Sequence, residues 1–414
     1  MTPTHASSTK PTVDPLAVLR STDTIRQRAG TLLARARSGD SRWFTVDDNA
    51  IGAVVRLVAD VTRSRYPDLD IPFHSRWRHF EAAGVDRVGT LAERMSEMSR
   101  TQRIRTRIDL AVVSVLLDAG AGPEWHYDEP GTGLRLARSE GLGVASFHAF
   151  TRGLFSGMVD DPLRVDAAGL RALTSDRLAE AFQVSGDNPL VGVEGRLGLL
   201  HRLADVLGAN PSAFGADGRP GGLGDALADE TGGVAAGDIL ALLLTHFAPI
   251  WPSDNKIDDH PLGDCWRHAD VDGVGDTAGW MPFHKLSQWL AYSLLEPFGD
   301  EGIALTGVDD LTALPEYRNG GLLLDTGVLV PRPAQWTTRE WRVDDEFIVE
   351  WRALTVALLD ELAPLVCAEL GLDVGSTPLA CILEGGTWAA GRELAAQRRQ
   401  GLPPLHIISD GTVF

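Results

Sequence analysis

Apolar residues recur at helical spacing in segment after segment of this chain, and that periodicity restricts it to a mainly α fold. In "TVDDNAIGAVVRLVADVT", Ile51, Val54, Val55, Val58 and Val61 share one helix face. Thr45 followed by Asp48 reads as a capping-box-like start. "RTRIDLAVVSVLLDAGAG" reads as a mostly buried helix stopped by Gly120 and Gly122. "VDAAGLRALTSDRLAEAF", "GRLGLLHRLADVL", "DEFIVEWRALTVALLDELAPLVCAEL" and "TPLACILEGGTWAAGRELAAQRRQ" repeat the pattern. Strand signals are confined to short stretches, "GLLLDTGVLV" and "HIISDGTVF". The expectation is one composite helical body over residues 13–414, after Ser/Thr/Pro-rich, disordered residues 1–12. Residues 205–235 are Gly/Asp-rich and read as a surface loop; with no Gly-Lys-Ser/Thr after it, this is not a phosphate loop.

Charge narrows the partners. The chain carries 57 acidic and 38 basic residues, a formal charge of -19. A field of that sign repels phosphate backbones, so nucleic acid is not an expected partner, although a local Arg/Lys cluster for one small phosphate is compatible with it. Cys265, Cys367 and Cys381 are odd in number and widely spaced, which argues for a reducing compartment. The N-terminus has no basic region followed by an apolar one, and no apolar stretch reaches the roughly 18–20 residues of a membrane span. These features imply a soluble cytoplasmic protein with no membrane partner, its oligomeric state left open.

The densest chemistry lies in residues 283–327. His284, Gln288, Tyr292 and Glu296 stand at successive i+4 steps, beside Lys285 and opposite an apolar stripe of Leu286, Trp289, Leu290 and Leu294. Such a flank is either a solvent face or a pocket wall, and Pro297 reads as its end. Asp309 and Asp310 read as helix caps. Glu316, Tyr317 and Arg318 follow, then Gly320 and Gly321, which permit close backbone approach. The Glu-Arg pair is either a simple ion pair or a catalytic acid beside an anion-holding group.

Elsewhere, "PFHSRWRHFEAAGVDR" sets Arg76 and Arg78 around Trp77, as an anion clamp or a charged turn. Trp125 sits in a Gly-rich loop and Glu140 opens the next helix, a common arrangement for a pocket wall. Cys265 and His268 have metal-like spacing but no second pair, so structural roles are favoured. Gly-x-Ser-x-Gly, His-Glu-x-x-His and Cys-x-x-Cys motifs are absent.

The blocks "PFHSRWRHFEAAGVDR", "LLDAGAGPEWHYDE", "PFHKLSQWLAYSLLEP", "LTALPEYRNGGLLLDTGVL" and "LPPLHIISDGTVF" resemble the uncharacterised-domain family of the URC route of uracil catabolism, its fourth, hydrolase-like component. More distantly, the order of these blocks is similar to the queuosine-salvage N-glycosylase family. That likeness implies a helical, DNA-glycosylase-like fold and cleavage of a base-ribose N-glycosidic bond. Its acidic-Tyr-Arg segment matches Glu316, Tyr317 and Arg318, with Glu where that family usually has Asp. A second acidic position of that family falls on Ser293, and Glu296, one turn on, is the compensating candidate.

The resemblance implies hydrolysis of ribosylurea, or its phosphate, to urea and ribose, with Glu316 or Glu296 as the catalytic carboxylate. Gln288 and Tyr292 would hold urea or ribose, with His284, Tyr317 and Trp77 in the same binding set. Arg318, Lys285 and Arg76 would hold phosphate, and Trp125 and Glu140 would line the entrance. No metal or redox cofactor is needed for such a step, and the partner is a small nucleoside- or nucleotide-derived substrate. Two rival readings are a metal-dependent amidohydrolase acting on an open-chain ureide and a non-catalytic metabolite-binding or regulatory partner.

Overall fold

The computed structural model describes residues 14–227, 232–251 and 253–408. Its longest helix, Glu346–Leu370, is apolar around most of its surface and correspondingly buried on most sides. It packs on Thr22–Ser38 and Ile51–Arg65, and Gly371, at φ 74°, closes it. Helix Lys285–Gly299 packs against Arg100–Leu116 and Ala236–Phe247, while Tyr317–Asp325 lies along Trp388–Arg399. That last contact requires Gly391, because a Cβ there would strike the Arg318 carbonyl. One apolar cluster runs from Ile25 to Leu405, so the helices share a core. Strands among the described residues form only two-stranded pairs, and the architecture is mainly α. No helix among the described residues is long and apolar enough to cross a membrane.

Several elements differ from the sequence expectation. Thr45 does not cap a helix; it sits in strand Phe44–Val46, paired antiparallel with Leu329–Pro331. The capping work falls to Asp47, whose carboxylate accepts from the Asn49 N–H at 3.0 Å. "GLLLDTGVLV" is helix as far as Asp325, because its leucines are buried in the core, and only its end is strand. "VDAAGLRALTSDRLAEAF" breaks into Ala167–Arg171 and Ser175–Ala181, with Asp166 and Thr174 as separate N-caps.

The described residues of 205–235 are largely helical rather than a surface loop. Helix Val193–Ala209 runs into the segment, Pro211–Phe214 and Leu223–Leu227 follow, and Phe214 and Leu223 are buried. Its glycines serve packing: Gly221 lies against the backbone of Arg105 and donates to Asp109 at 2.7 Å. Residues 228–231, within this stretch, and residues 1–12 lie outside the described residues, as does the end of the C-terminal strand segment beyond His406–Ile408.

Pro297 does not end its helix, which continues to Gly299. A proline there cannot donate to the Ser293 carbonyl four residues back. The Trp77 indole N–H fills the gap, donating to Ser293 O at 2.8 Å. Ser293 Oγ accepts from the Arg76 N–H at 2.9 Å and donates to Trp289 O. The position where the distant resemblance expects an acid is therefore a buried joint between two segments.

Candidate functional site

A cleft with two connected lobes opens where six separated segments meet. Its first lobe, about 460 Å³, is walled by Asp118, Lys285, Trp289, Glu316, Tyr317 and Trp388. The second, about 640 Å³, is rich in arginine. His74, His79, Arg138, Ser139, Tyr317 and Trp388 belong to both. A space of this size suits a small metabolite.

Two charges in the first lobe stand at the wrong ends of their helices. Asp118 follows the C-terminus of Arg100–Leu116, where the helix dipole disfavours an anion. Arg76, fully buried, holds it at 3.0 Å. Arg76 is fixed in turn by Ser114 Oγ at 2.6 Å and by the Ser139 carbonyl at 3.3 Å, with its guanidinium 5.6 Å from the Trp289 ring centre. Lys285 opens its helix, where the dipole disfavours a cation. The preceding His284 takes a left-handed φ of 50°, a strained conformation for a side-chain-bearing residue. Asp264 steadies the turn: its Oδ2 accepts from the Lys285 N–H at 2.9 Å, and Arg352 clamps both its oxygens at 2.7 Å. Burial lowers the Lys285 pKa, while Glu316 and Asp118 oppose that shift.

The shared wall is aromatic and imidazole-rich. His74 stacks near Trp289, with ring centres 6.5 Å apart, and His79 meets Trp289 edge-on at 5.7 Å. Glu384 orients His74. It lies on a π-helical turn, Leu383–Thr387, a local widening that often marks functional sites. Burial raises its pKa, but His74 and Arg65 outweigh burial and hold the carboxyl at about 2. An ionised Glu384 accepts, so the His74 Nδ1–H donates to it at 2.7 Å. Tyr66 Oη and Arg65 Nη2 complete its shell at 3.0 and 2.7 Å. Burial and the neighbouring Arg76 push His79 down to about 3, leaving it neutral, and its buried Nδ1 has no hydrogen-bond partner among the described residues.

The sequence pattern of DUF1688, described as a protein of unknown function, matches residues 18–414. Protein urg3 of Schizosaccharomyces pombe is 38% identical over 408 residues, 96% of this chain and 99% of that one. Uracil catabolism protein 4 of Lachancea kluyveri is 38% identical over 443 residues, 97% of this chain and all of that one.

The chain belongs to the DUF1688 family.

In this DUF1688 protein the residues singled out from sequence divide sharply. Lys285, Glu316, Tyr317, Arg318 and Glu140 line the cleft. Glu316 does so as an N-cap: its oxygens accept from the Arg318 and Asn319 N–H groups at 2.7 and 2.5 Å. Burial raises its pKa. Glu140 pairs with Arg392. Arg76 and Trp77 stand behind the wall as supports, through Asp118 and Ser293 respectively.

The others are elsewhere. Glu296 is absent from the walls of both lobes; it bonds Ser75 and pairs with Arg78 at 2.5 Å, and burial pushes its pKa up to about 7. Gln288 and Tyr292 are neither solvent face nor pocket wall. They are fully buried and serve the backbone of Thr312, Gln288 Oε1 accepting from its N–H at 3.2 Å and Tyr292 Oη donating to its carbonyl at 3.1 Å. His284 faces the Leu19 carbonyl at 2.8 Å, away from this cleft. Trp125 is buried and donates to Phe182 O at 2.9 Å. Asp309 and Asp310 lie in a 3-10 turn, and Asp309 Oδ1 accepts from the Leu379 N–H at 3.2 Å, serving a different helix.

Asp118, His74, His79, Glu384 and Trp388 are among the wall residues that sequence reasoning did not select. Only Asp118 carried a local signal, an acid just past an apolar helix's last turn. His268 pairs with Glu350 at 3.2 Å, and Cys265 is buried in a separate small cluster. Among the described residues no group of three or more His, Cys, Asp or Glu side chains is arranged to hold a metal ion.

Proposed function

We propose that this protein is an N-ribosyl hydrolase of uracil catabolism that splits ribosylurea, or its phosphate, into urea and the sugar. The relative named uracil catabolism protein 4 supports a role in that catabolism for this chain as well. One observation carries the chemistry: the carboxylate of Asp118 and the amine of Lys285 face one aromatic-walled lobe, each at a helix end that disfavours it.

Breaking the C1–N bond develops positive charge on the sugar, and a nearby carboxylate stabilises that charge. Asp118 is suited to this task. Arg76 occupies one of its oxygens, and no hydrogen bond occupies the other among the described residues. The same carboxylate accepts a proton from the water whose oxygen bonds to C1. The leaving nitrogen keeps the bonding pair and takes a proton, for which Lys285 is the donor. Burial makes its ammonium a stronger acid than a free lysine. Trp289 and Trp388 offer faces for the planar urea group.

Glu316 is a weaker candidate for the catalytic carboxylate, because both its oxygens are engaged by backbone N–H groups. Its charge instead favours the protonated form of Lys285. The amidohydrolase alternative requires a metal-ligand cluster that the described residues do not supply. Incubation with ribosylurea, with and without a 5-phosphate, tests the proposal: urea and sugar should appear in equal amounts from at least one, and release from neither refutes it.

A further inference from the structure

The arginine-rich lobe holds more positive charge than its acids neutralise. Arg65 pairs with Glu384 at 2.7 Å, Arg78 with Glu296 at 2.5 Å, Arg135 with Asp128 at 2.7 Å, and Arg392 with Glu140. Arg138 and Arg318 also line this lobe, and neither has a carboxylate within ion-pair distance among the described residues. Each instead donates from Nη1 to one shared acceptor, the Gly401 carbonyl, at 2.8 and 3.2 Å. The two guanidiniums therefore flank a single neutral atom, with no carboxylate in ion-pair contact among the described residues.

Three further observations point to an anion between them. Arg318 is only 3% exposed, and its buried Nε has no hydrogen-bond partner among the described residues. A guanidinium left partly unsatisfied in such a place is costly unless a ligand completes it. Helix Arg138–Thr151 begins in the same lobe, 14 residues long, and its N-terminus has no side-chain cap among the described residues. Its first N–H groups and the Ser139 hydroxyl are donors for an anion. Arg138 holds a left-handed φ of 54°, a conformation that a side-chain-bearing residue rarely adopts without compensation.

We propose that Arg138, Arg318, Ser139 and the uncapped start of helix Arg138–Thr151 form a phosphate-monoester subsite. Two guanidiniums without an ion-pair partner among the described residues match the charge of about −1.5 to −2 on a phosphate monoester near neutral pH. His79, neutral and with an Nδ1 that has no hydrogen-bond partner among the described residues, belongs to both lobes and lies where a sugar would bridge them. For the sugar, this inference rests on the N-ribosyl reading and makes the substrate a 5-phosphorylated ribosyl compound. For the anion, it rests on the arginine lobe alone.

The test is calorimetric titration of the full chain with ribose 5-phosphate, inorganic phosphate and ribose. Ribose 5-phosphate should bind about tenfold or more tightly than ribose, as expected for charge-assisted hydrogen bonds, and added salt should weaken it. Inorganic phosphate should compete with it. Arg138→Gln should erase the preference, while Arg135→Gln, which removes a paired arginine of the same lobe, should keep it. Equal binding of ribose and ribose 5-phosphate by the unaltered protein overturns the subsite, with no variant needed. So does a preference that survives in Arg138→Gln. Tight ribose 5-phosphate binding without urea release from either substrate would overturn the hydrolase reading and leave the subsite standing. Equal turnover of both substrates without phosphate binding would do the reverse.

Discussion

Replacing Asp118 with Asn removes one charge and keeps the shape of the side chain. The proposed chemistry uses that charge directly, so kcat should fall about 10²- to 10³-fold, equivalent to about 3–4 kcal/mol of transition-state stabilisation. Stability should fall as well. Arg76 is fully buried and loses its partner at 3.0 Å, and breaking a buried ion pair costs about 3–5 kcal/mol. Ser114, the Ser139 carbonyl and the Trp289 ring still hold the guanidinium, which favours the lower end. For a chain of 414 residues that cost lowers Tm by about 3–4 °C, a loss that leaves the protein folded at assay temperature. Glu316→Gln is the companion variant. It weakens an N-cap, at about 1 kcal/mol, and should keep activity within about tenfold of the parent. Urea release at saturating substrate, read beside thermal melts, separates the two. The assignment is refuted if Asp118→Asn keeps more than a tenth of the activity while Glu316→Gln loses a thousandfold.

Other outcomes follow from the supporting structure. Glu296, pushed up to about 7, binds a proton in the folded state that the unfolded chain has lost by then, so its share of stability declines as pH rises from about 4.5 through 7. Glu296→Gln should flatten that decline in melts across pH 5–8, and an unchanged slope would contradict it. Glu384, held at about 2, acts in the opposite sense: its stabilisation is present above about 4.5 and fades as pH falls toward 2, so Glu384→Gln should destabilise most near neutrality and least in acid. Trp77→Phe should cost about 1–2 kcal/mol by denaturant titration, because the Ser293 carbonyl loses its donor. In a Pro297→Ala background, where a backbone N–H becomes available, the cost should shrink, and strict additivity would refute the pairing. Gly391→Ala should cost about 1–3 kcal/mol, since its Cβ meets the Arg318 carbonyl.

Helical periodicity made the architecture legible. Val54, Val55, Val58 and Val61 of Ile51–Arg65 and most apolar positions of Glu346–Leu370 are buried as their spacing predicts. Competition between local signals was not legible. Thr45 had a cap-like spacing, yet pairing with Leu329–Pro331 drew it into a strand. Gly-rich composition in residues 205–235 resembled a loop, whereas Gly221 serves tight packing on Arg105.

For the site, the acidic-Tyr-Arg segment was found because its residues are contiguous. The i+4 ladder misled, because burial of the Thr312 backbone, not a ligand, explains Gln288 and Tyr292. Asp118, His74 and Trp388 come from segments far apart in sequence; the packing of Tyr317–Asp325 on Trp388–Arg399 and of Arg100–Leu116 on Lys285–Gly299, and the bonds of His74 to Ala380 O and Glu384, bring them together.

The most direct measurement is turnover of ribosylurea and its 5-phosphate in ¹⁸O-labelled water, with urea, sugar and ammonia quantified together. Cleavage at C1 predicts one urea per sugar, the label on the sugar at early times, before anomeric exchange, and no ammonia. Ammonia with label in carbonate, or no product from either compound, would contradict it.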